Sequence, residues 1–374
     1  MRKNILLFSL FIFSICQLHA QKTLSSEFDL FLSKEFKENE PGGSLLIQKG
    51  GNILFLKSYG ISDIETGEKN TENTIYNTGS ISKTMVANGI LILAERNLLS
   101  LDDTLLDHFP DFEDKALAKS ITLKNLLSHT SGIPDLRDVR NNPDFYLTAK
   151  DTANFEPLKA MKKLNFEPGY QFQYSNPCYN GLALIIEKVA KQPWQDFIVE
   201  NVFKPSGMSR SKITNGSYPS SDVAHAYVVN RGKYEESDYG EVPTFAAAGN
   251  GGIWSTVQDL AKYELAHKNA TFLSSKYIEK SRTVHQPDNW GSETTAFLGY
   301  GWMMDEIGLL RRNVNITDSK IVHHTGSQGG FRAFHISIPD QNIIFIALFN
   351  RPVKSFREIM VKGFDLMKAY GYLK

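Results

Sequence analysis

Cysteine is almost absent from this chain of 374 residues, which contains only Cys16 and Cys178. Without the first twenty residues one thiol remains, and a lone thiol cannot build an intramolecular disulfide framework. The stability of the protein must therefore come from its core. No His, Asn or Asp near Cys178 resembles a thiol-protease signature, so we interpret this residue as a packed, unreactive side chain.

An excess of charge of either sign is also lacking. Lys and Arg together number 41, as do Asp and Glu, so the formal net charge is zero. This balance gives no indication of a nucleic-acid or anionic-membrane partner, and it favours a small-molecule or peptide substrate. Hydrophobic residues make up 41% of the chain, which is enough for a large core. The sequence does not specify an oligomeric state.

Long apolar runs are missing after the N-terminus, so the sequence predicts no stable membrane span. The N-terminus has basic residues at positions 2 and 3, an apolar run over residues 5–16 and a small residue, Ala20, at the expected cleavage position. This pattern predicts a secretory signal peptide over residues 1–20 and an exported protein, periplasmic or secreted. Lipoprotein anchoring at Cys16 is the less favoured alternative, because Ile15 precedes it where a lipobox has a small residue.

The motifs of several common enzyme classes are absent. The chain has no GxSxG elbow, no Walker loop, no GxGxxG fingerprint and no paired CxxC. The adjacent His323 and His324 would point to opposite faces of a strand, and no His-x-His or HExxH pattern accompanies them. The sequence therefore predicts neither a metal site nor an organic cofactor.

The remaining pattern places strands at both ends of the chain and helices between them. This arrangement predicts an α+β fold, in which both ends complete one antiparallel sheet with flanking helices and an inserted helical lobe. The predicted hairpins pair residues 43–48 with 53–59 and residues 331–338 with 343–349. The predicted helices cover residues 80–96, 123–128, 177–190, 194–203, 257–266 and 355–369.

The sequence predicts one domain over residues 21–374, because no linker, repeat or low-complexity tract divides it. Within it, the sheet lobe is predicted to comprise about residues 21–78 and 245–374, and the helical lobe about residues 79–244. The polar, turn-rich segment of residues 206–243 predicts long surface loops.

Ser80 and Lys83 are three residues apart at the start of a predicted helix, so their side chains share one face and an amine can reach a hydroxyl. The helix is apolar almost all round, which would bury Lys83, disfavour its charged form and make it a proton acceptor for a serine nucleophile. In the alternative interpretation, Ser80 caps the helix and Lys83 reaches solvent. A second Ser-x-x-Lys match, Ser209 with Lys212, lies in a polar segment with nothing to bury the lysine.

Tyr174 and Asn176 precede Pro177, and a residue before proline is driven out of the helical conformation. We predict that Pro177 begins a helix, that Asn176 caps it, and that Tyr174 and Asn176 point the same way from an extended segment into a cleft. The alternative is a purely structural pair, with Asn176 as a cap and Tyr174 as a half-buried aromatic.

Residues 323–327 follow a β-prone pair and read His-His-Thr-Gly-Ser. On a strand, His324 and Gly326 share a face, and glycine allows a ligand to approach the backbone closely. The backbone N–H groups that follow can stabilise a negatively charged oxygen.

Taken together and in order, Ser80-x-x-Lys83, Tyr174-x-Asn176 and His324-Thr325-Gly326 resemble the three signature motifs of the serine β-lactamase and penicillin-binding protein superfamily. The resemblance extends from about residue 40 to about residue 350 and implies a β-lactamase/transpeptidase-like fold. Three further segments resemble the class C β-lactamase, D-aminopeptidase and esterase branch: residues 121–132, 167–169 and 251–256.

The resemblance also implies catalytic roles. Ser80 would attack a carbonyl to form an acyl-enzyme, Lys83 and Tyr174 would act as general base, and water would complete hydrolysis. Backbone N–H groups of Ser80 and Ser327 would form the oxyanion hole. His129 receives no catalytic role and is interpreted as structural. Asn176 would hold the substrate amide or help to position Lys83. The substrate-binding residues implied by the resemblance are Asn176, His324, Thr325, Gly326 and Ser327.

His324 stands where the commonest form of the third motif has lysine, which would supply a permanent positive charge for a substrate carboxylate. This weakens the case for a dedicated β-lactamase without excluding a D,D-peptidase. The leading prediction is an exported serine hydrolase that cleaves an amide or ester bond, as a D,D-peptidase, a D-aminopeptidase or an esterase. The alternatives are a β-lactamase and a non-catalytic penicillin-binding or sensor relative. The intact set of Ser80, Lys83 and Tyr174 argues against the non-catalytic alternative.

Overall fold

The structure is a computed structural model, and it describes residues 22–135, 150–214, 221–237, 248–287, 289, 297–304, 319–354 and 356–374. The helices are α1 (Leu24–Glu35), α2 (Ser82–Glu95), α3 (Leu105–His108), α4 (Lys115–Ser120), α5 (Leu123–Leu127), α6 (Asp151–Phe155), α7 (Asn176–Ala190), α8 (Trp194–Ile198), α9 (Lys204–Ser206), α10 (Val257–Lys268), α11 (Ser275–Ser281) and α12 (Phe356–Ala369). The strands are β1 (Gly43–Lys49), β2 (Asn52–Tyr59), β3 (Tyr76–Asn77), β4 (Lys212–Ile213), β5 (Tyr227–Asn230), β6 (Lys233–Glu236), β7 (Ile253–Ser255), β8 (Met303–Met304), β9 (Val322–Gln328), β10 (Phe331–Ile338) and β11 (Ile343–Phe349).

The main sheet has six strands in the order β2-β1-β11-β10-β9-β8, and every neighbouring pair is antiparallel. Gly43 in β1 pairs with Phe349 in β11, so strands from opposite ends of the chain lie side by side near the centre of the sheet. The two predicted hairpins and the α+β architecture are therefore confirmed.

Both faces of this sheet are covered. Helices α1 and α12 pack on one face, where Phe28 contacts the rings of Phe55 and Phe345 and Phe345 stacks on Phe364. Helix α10 contacts β1 and β11 on the other face. This double coverage explains why all seven residues of β11 are buried and apolar rather than alternating in polarity.

Helix α2 lies at the centre of the larger hydrophobic core. Every side chain from Ser82 to Ala94 is buried, and the helix contacts α7 and α8. Gly89 lets α7 approach closely, since a Cβ atom at this position would lie 2.6 Å from the Cδ1 atom of Ile186. The apolar pattern thus correctly predicted a central helix, although α2 begins at Ser82 after a 3₁₀ turn over Gly79–Ile81.

A second, three-stranded sheet has the order β3-β7-β4 and supports the region around residue 80. Thr78 donates its N–H to the carbonyl of Ile253, and Ile253 donates its N–H to the hydroxyl of Ser82. These two bonds hold the residues around the Gly79–Ile81 turn beside the start of β7.

Several features differ from the sequence predictions. Helices α1, α3, α4, α6 and α11 were not predicted. The segment predicted to include long loops, residues 206–243, also contains β4 and the β5–β6 hairpin, while its residues 215–220 and 238–243 lie outside the described residues. The predicted helix over residues 194–203 is α8 followed by a π-helical turn at Val199–Phe203. The predicted division into two lobes and the predicted signal peptide, which also lies outside the described residues, stay predictions.

Within the described ranges, no helix combines the length and the apolar character needed to cross a bilayer.

Candidate active site

Ser80 and Lys83 lie where the 3₁₀ turn leads into α2. Ser80 is partly exposed, whereas Lys83 is completely buried. The Lys83 Nζ atom lies 3.1 Å from the Ser80 Oγ atom, which is hydrogen-bond distance. The alternative in which Lys83 reaches solvent is therefore wrong. The second match is not helical, because Ser209 lies in a turn and Lys212 begins β4.

The Lys83 amine is held by two acceptors besides the serine. Its Nζ atom donates to the Oδ1 atom of Asn176 at 2.9 Å and to the backbone carbonyl of Asn250 at 2.6 Å. It also lies 4.9 Å from the centre of the Tyr174 ring, within the range of a cation–π contact. Three oxygen atoms, one each from Ser80, Asn176 and Asn250, therefore lie within hydrogen-bond distance of the amine.

Asn176 is the first residue of α7 rather than its cap, which corrects the predicted position by one residue. Ser175 occupies the cap position with extended backbone angles, φ −136° and ψ 116°, as expected for a chain approaching Pro177. The Asn176 amide is therefore available for the site. Its oxygen accepts from Lys83, and its nitrogen donates to the Oδ2 atom of Asp135 at 3.0 Å.

The Tyr174 ring is positioned by His129. The two rings stack with centroids 4.3 Å apart and an angle of 29° between their planes. The His129 Nδ1 atom accepts the N–H of Ser175 at 3.2 Å, which fixes the imidazole against the extended segment. Burial, and then the nearby charge of Lys83, hold the pKa of His129 well below its usual value, so the stacked imidazole is neutral.

Strand β9 passes directly beside the nucleophile segment. Its side chains alternate, with His324 and Gly326 buried and Thr325 and Ser327 exposed. A Cβ atom at position 326 would overlap the carbonyl oxygen of Thr78. A Cβ atom on Gly79, which has φ +52°, would lie 2.7 Å from the Ser327 nitrogen. The two backbones therefore touch because both positions are glycine, and this brings the predicted amide donors Ser80 and Ser327 onto adjacent segments.

His324 is a neutral residue in this site. Its side chain is 3% exposed, and its Nδ1 atom lies 2.7 Å from the carbonyl of Thr325. Burial, and secondly the charge of Lys83, lower the pKa of His324 to about 3. His324 therefore does not replace the permanent positive charge of a lysine.

The buried His324 predicts a specific loss of stability in acid. In the unfolded chain its imidazole takes up a proton near pH 6.5, whereas the folded protein resists protonation down to about pH 3. The unfolded state thus binds more protons within this window, and stability is lost as the pH falls through it. We expect His324→Gln to remove up to about 1.4 kcal/mol of this loss per pH unit. Urea unfolding of both proteins at pH 7.0, 5.5 and 4.5 measures the difference. An equal change in both proteins over these pH values would contradict the prediction.

The structure also brings in two residues that the sequence did not reveal. Asn250 supplies the backbone carbonyl that binds Lys83, and Asp151 binds the segment that carries it. A backbone carbonyl leaves no signature in side-chain identity. The only available signal for Asn250 was its place just before residues 251–256, a segment that resembles the family.

The sequence profile of the Beta-lactamase family matches residues 30–362. The chain belongs to this family. Among its relatives, penicillin-binding protein 4* of Bacillus subtilis (strain 168) is 26% identical over 329 residues, which are 84% of this chain and 69% of that protein. Protein flp of Staphylococcus aureus (strain COL) is 27% identical over 331 residues, 84% of this chain and 60% of flp. This beta-lactamase-family chain thus spans between three fifths and seven tenths of the length of these relatives.

Solved structures agree with this family. The octameric penicillin-binding protein homologue from Pyrococcus abyssi superposes with a TM-score of 0.75 at 27% identity, over 92% of this chain and 77% of the homologue. The D-amino acid amidase from Ochrobactrum anthropi SV3 superposes with a TM-score of 0.72 at 20% identity, over 93% and 98% of the two chains, which supports the fold alone. The predicted β-lactamase/transpeptidase-like fold and the predicted superfamily are confirmed, and this beta-lactamase-family member belongs to the serine hydrolase superfamily.

Proposed function

We propose that this beta-lactamase-family protein is a serine hydrolase that cleaves an amide or ester bond next to a D-amino acid through an acyl-enzyme on Ser80. The observation that carries the proposal is the fully buried Lys83 amine, 3.1 Å from the Ser80 hydroxyl. Burying an ammonium group is costly, so a lysine in this position is retained for its chemistry rather than for stability.

The contacts of Lys83 make it suited to accept a proton. A neutral amine has two N–H groups and one lone pair. In the proposed neutral form, Asn176 and the Asn250 carbonyl bind the two N–H groups and the Ser80 hydroxyl donates to the lone pair. The geometry thus aligns the base with the proton that it removes, as general base catalysis requires.

In the proposed reaction, the Ser80 hydroxyl proton passes to Lys83, with Tyr174 assisting, while Oγ forms a bond to the substrate carbonyl carbon. The backbone N–H groups of Ser80 and Ser327 stabilise the oxyanion. The bond to the leaving amine or alcohol then breaks, and the leaving group takes the proton. Water attacks the acyl-enzyme through the same base, so that the acid is released and the Ser80 hydroxyl is restored.

Two observations support a D-amino acid amide or ester as the substrate class. Structural neighbours include a D-amino acid amidase. The neutral His324 lacks the fixed charge that would select a free carboxylate beside the scissile bond. Substrates with an amide or ester there are therefore favoured over those with a terminal carboxylate. We also propose that the protein acts after export, with residues 1–20 removed.

The proposal predicts a covalent adduct at Ser80. Purified protein is incubated with a fluorophosphonate probe and, separately, with a penicillin, and intact mass and peptide mapping locate the adduct. We expect labelling of the wild type and of Ser209→Ala, which removes the serine of the second Ser-x-x-Lys match. We expect no labelling of Ser80→Ala. A folded wild type that neither reagent labels would contradict catalysis and favour the non-catalytic binding or sensor alternative.

The lifetime of the penicillin adduct then separates the remaining enzyme classes. An adduct that persists for many minutes indicates a peptidase-like or amidase-like site, in which water attacks the penicilloyl ester slowly. Rapid loss of the adduct with release of hydrolysed penicillin indicates a β-lactamase and would contradict the proposed substrate class.

A further inference from the structure

Asp151 is a buried carboxylate that the proposed reaction does not use. It is the first residue of α6 and is 6% exposed. Its Oδ1 atom accepts from the Asn180 side-chain amide at 2.7 Å and from the Gly249 backbone N–H at 2.8 Å. Its Oδ2 atom accepts from the Trp194 indole N–H at 2.9 Å. Three donors from three different segments therefore converge on one carboxylate.

Two of these three donors lead to the Lys83 amine. Gly249 directly precedes Asn250, whose carbonyl binds Lys83 at 2.6 Å. The Asn180 amide also lies 3.1 Å from the Oδ1 atom of Asn250. Asp151 therefore restrains Asn250 in two ways. It binds the N–H of the preceding residue, Gly249, and it binds the Asn180 amide, which in turn contacts the Asn250 side chain.

Close packing against α7 also restricts the 249–250 segment. A Cβ atom at position 249 would lie 2.6 Å from the Cβ atom of Ala183 and 3.0 Å from the carbonyl of Tyr179, both in α7. The segment is therefore fixed between α7 and the Asp151 carboxylate. A shift of this carboxylate would move the Asn250 carbonyl with it.

We propose that Asp151 is a positioning residue for catalysis: by fixing the Asn250 carbonyl, it directs the Lys83 amine at the Ser80 hydroxyl. This inference rests on the proposed function of Ser80 and Lys83. Without the Asn250 acceptor, one N–H of the amine loses its partner and the amine rotates about its last carbon–nitrogen bond. Misplacement of a catalytic group by about 1 Å costs on the order of 100-fold in rate.

The protonation behaviour of Asp151 is consistent with a functional role. Burial raises the pKa of this carboxyl to about 7, although all three partners favour its ionised form. An apolar residue would avoid this cost in folding free energy. Retention of a costly buried group is typical of functional sites.

The test uses Asp151→Asn, because asparagine has the same shape but only one acceptor atom. If its oxygen faces Asn180 and Gly249, its NH₂ group faces the Trp194 N–H, and two donors are opposed. Trp194→Phe removes the opposing donor. We therefore expect Asp151→Asn to lower the rate constant of Ser80 labelling by a fluorophosphonate at least tenfold, with less than threefold change in the probe concentration at half-maximal rate. The double variant Asp151→Asn/Trp194→Phe should recover to within about threefold of Trp194→Phe alone.

Asp259→Asn is the matched control. Asp259 is also a buried carboxylate, 1% exposed, and it accepts from the backbone N–H groups of Arg210 and Ser211. Its loss should lower the melting temperature without slowing the labelling of the folded protein. The double variant also provides a folded protein if Asp151→Asn alone does not fold.

The outcomes separate this inference from the proposed function. Absence of labelling in the wild type overturns both. A labelled wild type together with Asp151→Asn labelled at the same rate overturns the inference alone. The inference is also overturned if the double variant recovers the melting temperature but not the labelling rate. In that case the hydrogen-bond geometry around position 151 would not determine the rate.

Discussion

Lys83→Met is expected to lower the rate of Ser80 acylation by at least about 10³-fold while the protein stays folded. Methionine fills a similar volume but cannot accept a proton, so the Ser80 hydroxyl loses its base. Removal of a buried amine, which is costly to desolvate, offsets the cost of leaving the Asn176 and Asn250 oxygens without this donor. We therefore expect the free energy of unfolding to change by less than about 2 kcal/mol in either direction. Stopped-flow labelling with a fluorophosphonate and urea unfolding measure the two quantities.

Lys212→Met is the matched control for this prediction. Lys212 belongs to the second Ser-x-x-Lys match and is partly exposed in β4. Its loss should leave the acylation rate within about twofold of the wild type, since surface substitutions away from special features have small effects. A Lys83→Met protein that is acylated at the wild-type rate would show that another group removes the Ser80 proton.

Gly326→Ala is expected to lower the acylation rate by about 10²-fold or more and to destabilise the fold. The added methyl group would overlap the Thr78 carbonyl oxygen, so β9 must move away from the nucleophile segment. That movement carries the Ser327 N–H away from Ser80, and the loss of one oxyanion donor costs about 10²- to 10³-fold in rate. Labelling kinetics, corrected for the folded fraction measured by circular dichroism, give the effect.

Gly43→Ala separates the catalytic loss from the loss of stability. A Cβ atom on Gly43 in β1 would overlap the Leu348 carbonyl oxygen of β11, which is a similar backbone clash in the same sheet but away from β9. This variant should be destabilised while its folded fraction is labelled at the wild-type rate. Equal catalytic losses in both variants would indicate a general disturbance of the sheet rather than displacement of Ser327.

Much of the fold could be predicted from local patterns. The turn residues between β1 and β2, and between β10 and β11, separate runs that are rich in β-branched and aromatic residues. Helix α1 was missed although Thr23 and Ser26 form a capping box at its start. Strand β4 could not be predicted, because an element of two residues depends on its pairing with a distant partner: Lys212 pairs with Trp254.

In the candidate site, too, residues that are close in the sequence could be predicted, whereas residues with distant partners could not. Ser80 with Lys83, and Tyr174 with Asn176, could be predicted because a helical or extended spacing places each pair on one face. The structure also places Asn176 beside Lys83. The contribution of Asn250 could not be predicted, because it acts through a backbone carbonyl. Asp151 could not be predicted either, because its partners follow 29, 43 and 98 positions later in the chain.

The pairing of β1 with β11 constrains how the protein folds. These neighbours lie near the centre of the main sheet, yet Gly43 and Phe349 belong to opposite ends of the chain. Contacts of such sequence separation form slowly, because a very long loop must close before they are made. During synthesis, β1 and β2 therefore lack the neighbouring strand β11 until residues 343–349 have been made. During that interval the apolar residues of β1 and β2 are exposed, and the incomplete chain then depends most on protection from aggregation.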